Sequence, residues 1–291
     1  MGHPALIDLH HLGRPRSLAV YLVLGPEPTL IDCGPSSCLD ALERALADHG
    51  IGFDDLRHVL LTHVHLDHAG AAGMLVAANP RLLVHVSSAG ADHLADPSRL
   101  ERSARRLFGP EFDRLWGPLA PIPAENLRVL GAHAAGLDCF ATPGHAIHHA
   151  SFLDPDGNCY SGDVTGVRIP PSPYVAPGTP PPDIDLGAYE RSLDEILARR
   201  PNRLCLSHFG IYDDVEGHVA RMREGLALWS GWVRDGATEE EFIEAARAQL
   251  ADRPDVLEAI ETAAPFPPSY AGLKRYWETR RRPARAAAAA R

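Results

Sequence analysis

Apolar positions along this chain follow two rhythms. The nearly continuous runs SLAVYLVLG (17–25) and TLIDCG (29–34), separated by Gly25, Pro26 and Pro28, predict a β-hairpin. After Gly34 the spacing changes: SCLDALERALADHG repeats Leu and Ala at helical intervals, with Ser36 or Ser37 as cap and Gly50 as terminator. The alternation continues with a strand at 58–63 (HVLLTH), a helix at 69–79 and a strand at 81–86 (RLLVHV). Strands and helices taking turns in this way predict an α/β fold.

Residues 92–116 break the rhythm with a long, charge-mixed helical stretch, read as an insertion spanning about 92–120. Strands resume at LDCFATPGH (137–145), and SFLDPDGNCYSGD (151–163) reads as strand, turn, strand. Between 166 and 186, seven prolines in 21 residues forbid regular structure. A connection that long without structure of its own is usually functional or disordered. A helix near 186–199 and the run RLCLSHFG (203–210) close the pattern, and from about 213 the text is helical. The division predicted is a catalytic domain over 1–212, a helical extension over 213–280 and a frayed, biased tail over 281–291.

Composition narrows the partners more than the fold. With a net charge of −10 and a pI near 5.9, the chain is a poor match for a nucleic-acid backbone, whose affinity rests on Lys and Arg. Its 45% hydrophobic content supplies a sizeable core, but no run approaches the ~18 apolar residues of a membrane span. Five scattered cysteines, an odd number, and an opening without a basic then apolar segment predict a cytoplasmic protein with reduced thiols.

The chemistry concentrates at THVHLDHAG (62–70), just past a predicted strand. His is 16 of 291 residues, and chance would produce H-x-H-x-D-H only on the order of 0.004 times. His63 and His65 alternate on an extended segment and Asp67 and His68 follow in the turn, so four donors converge on one sheet edge. Imidazole nitrogen and carboxylate oxygen suit zinc, and the same set would take Fe or Mn. Further candidates, His145, Asp163 and His208, each fall at a predicted strand end. Nine further histidines, among them His11 and His218, are read as ordinary surface or core residues.

Taken in order, these four motifs resemble the metallo-β-lactamase-fold superfamily, which includes glyoxalase II, lactonases and persulfide dioxygenases. Within it, PGHAIHH, GDVTG and SHFG look most like a poorly characterised bacterial and archaeal branch of metal-dependent hydrolases. The resemblance implies an αββα sandwich of two mixed sheets flanked by helices. It implies two Zn(II) per chain: His63, His65 and His145 hold the first metal, Asp67, His68 and His208 the second, and Asp163 bridges them. Asp32, in LIDCG, and His149 would orient ligands from behind, with Asp67 and Asp163 as the catalytic carboxylates. Two cations sharing a hydroxide would then cleave a small ester, lactone or thioester.

Departures from better-known branches refine this. Asp163 stands where β-lactamases of this fold usually carry Cys, and Gly166 where many lactonases keep a Tyr. The alternative within the same resemblance is an oxidoreductase with one iron at His63 or His65, His145 and Asp163. The proline-rich segment reads as a stiff lid, with Arg168 and Tyr174 placed to bind a substrate carboxylate or carbonyl. A small molecule is the expected partner, with neither nucleic acid nor membrane. The insertion and the helical extension are placed either to roof the pocket or to form a homodimer.

Overall fold

Both faces of the strand Ala19–Val23 are buried, so it shows no polar alternation: Ala19 and Tyr21 point to a second sheet, Val20 and Leu22 to helices behind. It is β2 of a six-stranded sheet ordered β1 (Ala5–Asp8), β2, β3 (Thr29–Ile31), β4 (His58–Leu60), β5 (Leu83–Val86), β6 (Leu127–Val129). Pairing is antiparallel as far as β3 and parallel from there to β6. The structure, a computed structural model, describes residues 4–289; beyond residue 280 it describes backbone alone.

The second sheet runs β7 (His133–Ala134), β8 (Leu137–Ala141), β9 (Ala150–Leu153), β10 (Asn158–Gly162), β11 (Arg203–Leu206), β12 (Gly210–Tyr212), with only β10 and β11 parallel. Helices α1 (Leu39–Asp48), α2 (Leu66–Ala69) and α3 (Ala72–Ala78) follow the first-sheet strands, and Leu42, Leu46, Leu75 and Val76 pack beneath Val59 and Val84. The insertion consists of α4 (Ser88–Ala95), α5 (Ser98–Phe108) and α6 (Phe112–Trp116). Behind the second sheet lie α7 (Leu186–Ala198), α8 (Val215–Asp235), α9 (Glu239–Ala248), α10 (Pro254–Ala263) and α11 (Phe266–Ala289). Tyr189, Leu193, Trp229 and Phe242 from these helices join Phe152 and Leu206 in one continuous core. Two mixed sheets between helical layers are the αββα sandwich that the sequence resemblance implies.

Several boundaries differ from the sequence reading. The helix after the histidine motif starts at Leu66 rather than 69, so Asp67 and His68 sit in a helical turn. The run 137–145 leaves the ladder after Ala141, and 203–210 splits into β11 and β12, which places His145 and His208 on connections instead of strands. β1, β6 and β7, two to four residues each, are absent from the sequence reading because such short strands carry no period. Helical backbone continues to Ala289 across the stretch read as a tail, whose residues 290 and 291 lie outside the described residues. Among the described residues no helix is long and apolar enough to cross a membrane.

Candidate metal centre

The parallel strand β4 ends at Leu60, and the chain leaves the sheet through Thr62 into His63. The Thr62 backbone N–H donates to Asp32 Oδ1 at 2.8 Å, and its hydroxyl donates to the same carboxylate at 2.9–3.0 Å. That uses the one hydroxyl proton, so Thr62 Oγ1 accepts from His63 Nδ1–H at 3.0 Å and leaves a bare Nε2 facing inward. His145 Nδ1–H donates to the Gly178 carbonyl at 2.9 Å, which turns its Nε2 inward as well. Between these two lone pairs lies His65 Nδ1, 3.0 Å from His63 Nε2 and 2.9 Å from His145 Nε2. A proton on His65 serves one neighbour at a time, whereas a cation satisfies all three nitrogens.

A second donor set adjoins the first. His68 Nδ1–H donates to Asp32 Oδ2 at 2.8 Å and His208 Nδ1–H to the Ser17 carbonyl at 2.7 Å, so both present Nε2 to the cluster. Asp67 Oδ2 lies 3.6 Å from His68 Nε2 and 3.3 Å from His208 Nε2. Asp163 Oδ1 lies 3.3 and 3.7 Å from the same two nitrogens, while its Oδ2 faces the first set, 3.5 Å from His145 Nε2 and 4.0 Å from His63 Nε2. His68 Nε2, His208 Nε2 and Asp163 Oδ1 are buried without a hydrogen-bond partner. Three such orphans cost about 1–3 kcal/mol each unless something pairs them. Tetrahedral bonds of ~2.0–2.1 Å would set donor atoms about 3.4 Å apart, close to the spacings here. The residues present therefore fit divalent cations, and the atoms of each set lie within 4.8 Å of one another.

Electrostatics follows the same division. Burial and the surrounding imidazoles push His63 well below the usual histidine range, and burial with His145 does the same to His65. Burial opposes charge on His68 and His208 too, but Asp163 and Asp67 outweigh it and raise both. Burial likewise disfavours the Asp163 carboxylate, yet His68, His208 and His145 hold it well below the carboxylate range.

Asp163 is placed through its backbone: its N–H donates to His149 Nε2 at 3.1 Å, while His149 Nδ1–H meets Thr142 Oγ1 at 2.9 Å. Thr62, Ser207 (whose hydroxyl donates to Asp32 Oδ2 at 3.1 Å) and the Ser17 and Gly178 carbonyls are absent from the sequence reading. Thr62 directly precedes the motif and could have been suspected; backbone carbonyls carry no residue signature. His11, read as ordinary, stacks on Trp116 at 5.7 Å, near enough to Asp67 and His208 for their charges to act on it. Arg168 meets the cluster through its backbone, whose N–H donates to the His208 carbonyl at 2.8 Å. The Arg168 guanidinium lies 4.0 Å over the Tyr212 ring, and Tyr174 packs into the core near Trp229.

A family model described as the metallo-beta-lactamase superfamily matches residues 13–208. The chain belongs to that superfamily. Metallo-beta-lactamase fold-containing protein ST1585 of Sulfurisphaera tokodaii is 28% identical over 221 residues, covering 72% of this chain and 79% of its own. Its crystal structure superposes with a TM-score of 0.63 at 24% identity, over 79% of this chain and 86% of that one. A ribonuclease Z of Bradyrhizobium sp. is 32% identical over 148 residues, 48% of this chain and 44% of its own. Thioesterase pkgB of Emericella nidulans is 32% identical over 147 residues, 49% of this chain and 34% of its own. This chain thus spans less than half the length of the last two. The superfamily match together with relatives named ribonuclease Z and thioesterase makes it one of the metal-dependent hydrolases, and those names differ in what is hydrolysed.

Proposed function

We propose that this protein is a binuclear, zinc-dependent hydrolase that cleaves a small acyl ester, lactone or thioester. One observation carries the reading: Asp163 turns Oδ1 to one donor set and Oδ2 to the other, so a single side chain would serve two cations. His63, His65 and His145 would hold the first, and Asp67, His68 and His208 the second. Cations there supply Lewis acidity toward a carbonyl oxygen and lower the pKa of water to about 7. The rest falls to the chain. Asp32 fixes His68 directly and His63 through Thr62, so that both keep a bare Nε2 inward. His149 fixes the backbone of Asp163. Asp67, with its side chain 23% exposed against 0% for His63 and His68, forms the open edge over which substrate arrives.

Charge supports a neutral acyl substrate over a phosphodiester. The groups that act most strongly on the seven side chains are one another, Asp32, His148, His149 and the Gly178 backbone, with no Lys or Arg among them. A phosphodiester brings a fixed negative charge that such cations normally meet. The single-iron alternative would leave Asp67, His68 and His208 without work, and the orphaned Nε2 atoms of His68 and His208 speak against it. Zinc-loaded protein assayed on p-nitrophenyl acetate, a γ-lactone, an acyl thioester and bis-p-nitrophenyl phosphate tests the reading. At least one acyl substrate should exceed the phosphodiester by ~10²-fold in kcat/KM; the opposite order would overturn it.

A further inference from the structure

His145 reaches the cluster from a connection rather than a strand, and the group that aims it comes from the proline-rich segment. The middle of that segment lies inside the molecule: Val175, Ala176, Pro177, Gly178 and Thr179 are all buried, while Pro171, Pro173, Pro182 and Asp183 are exposed. The Gly178 carbonyl accepts from His145 Nδ1–H at 2.9 Å, and the hydroxyl of Tyr189, on α7, donates to the same oxygen. Both lone pairs are then occupied, one by the ligand imidazole and one by the tyrosine. Tyr189 is fully buried, and burial pushes its hydroxyl well above the usual range, so it stays a donor.

The same tyrosine also braces the backbone that carries the imidazole. Gly144, at φ 143°, passes so near the Tyr189 backbone that a Cβ there would come within 2.6 Å. Asp185 N–H donates to the Gly144 carbonyl at 3.0 Å, and Tyr189 N–H donates to the Asp185 carbonyl at 2.9 Å. Behind the strap, the Thr179 hydroxyl donates to the Ser269 carbonyl of α11 at 3.1 Å.

We propose that Tyr189 is a positioning residue of the metal centre. By fixing the Gly178 carbonyl it sets the direction and tautomer of His145, while α11 backs the strap through Thr179. It touches neither cation nor substrate. This rests on reading the three-histidine set as a metal site.

Tyr189→Phe removes one oxygen and keeps the ring in the core. The test is zinc competition against a chromophoric chelator, with the absorption spectrum of the cobalt-substituted protein and the melting temperature of the metal-free form alongside. One of two zinc equivalents should be released 10–100-fold more readily and the other unchanged, with a shifted cobalt spectrum and near wild-type melting without metal. Thr179→Val should give the same change in smaller measure. Wild-type zinc release and cobalt spectrum in Tyr189→Phe, whatever its melting temperature, overturn the proposal and leave Tyr189 to packing. Absence of zinc from the three-histidine set of the wild type would instead overturn the metal-site reading, and the proposal with it.

Discussion

Four of the seven clustered side chains come from the six positions His63–His68, and the other three, His145, Asp163 and His208, from separate connections far down the chain. The near four sit on a β4 exit and one helical turn, and two of them, His63 through Thr62 and His68 directly, also lean on Asp32 from the end of β3. Each far residue borrows a partner from another segment: Gly178 for His145, His149 for Asp163, Ser17 for His208. One half of the centre is written as a motif and the other as a fold. Disturbing the far half should therefore remove metal while leaving the motif loop in place.

The largest effect is expected at the junction of the halves. Asp163→Ala takes an oxygen from both sets, so bound zinc should fall by at least one per chain and turnover by more than the 10–100-fold typical of outer partners. Elemental analysis and kcat check this, and an unchanged circular dichroism spectrum separates it from unfolding. His208→Ala removes one far residue, which only the second set uses; one zinc should remain on the three-histidine set, and loss of both would show the halves to be inseparable. Asp32→Asn acts on the near half. With one amide oxygen in place of a carboxylate receiving from Thr62, Ser207 and His68, metal affinity should drop 10–100-fold and stability by about 1–3 kcal/mol, read by chelator competition and urea melts.

The sequence made the near half legible because its four donors are neighbours in one unbroken string. His145, Asp163 and His208 were legible only through the order of their motifs along the chain, since no local periodicity marks a residue on a connection. What orients them was hidden. The Gly178 and Ser17 carbonyls are backbone groups, and any residue type could offer them. The proline-rich segment illustrates the limit most clearly: its composition correctly excludes regular structure, yet says nothing of burial, and residues 175–179 run inside the molecule. β1, β6 and β7 went unseen for a simpler reason, being too short to display alternation.

The effect with least bearing on the metal centre lies outside it. His218 donates from Nε2–H to the Thr165 carbonyl at 2.9 Å, and burial pulls its pKa down to about 4. An unfolded histidine, near 6.5, takes up a proton between pH 6.5 and 4 that the folded one refuses, so this stability is complete above about pH 6.5 and lost as pH falls toward 4. On the order of 3 kcal/mol is at stake. Metal-free protein should thus lose urea resistance between pH 7 and 5, and His218→Gln, which keeps a donor for Thr165, should flatten that slope. An equal slope in the variant would assign it to other groups such as His85, also lowered to about 4.

The most direct test of the central claim is metal stoichiometry by elemental analysis, on untagged protein expressed without added metal. If Asp163 joins two donor sets, the protein should carry two divalent ions per chain, zinc by preference of the donors. One ion per chain, or one iron and nothing at Asp67, His68 and His208, would contradict it.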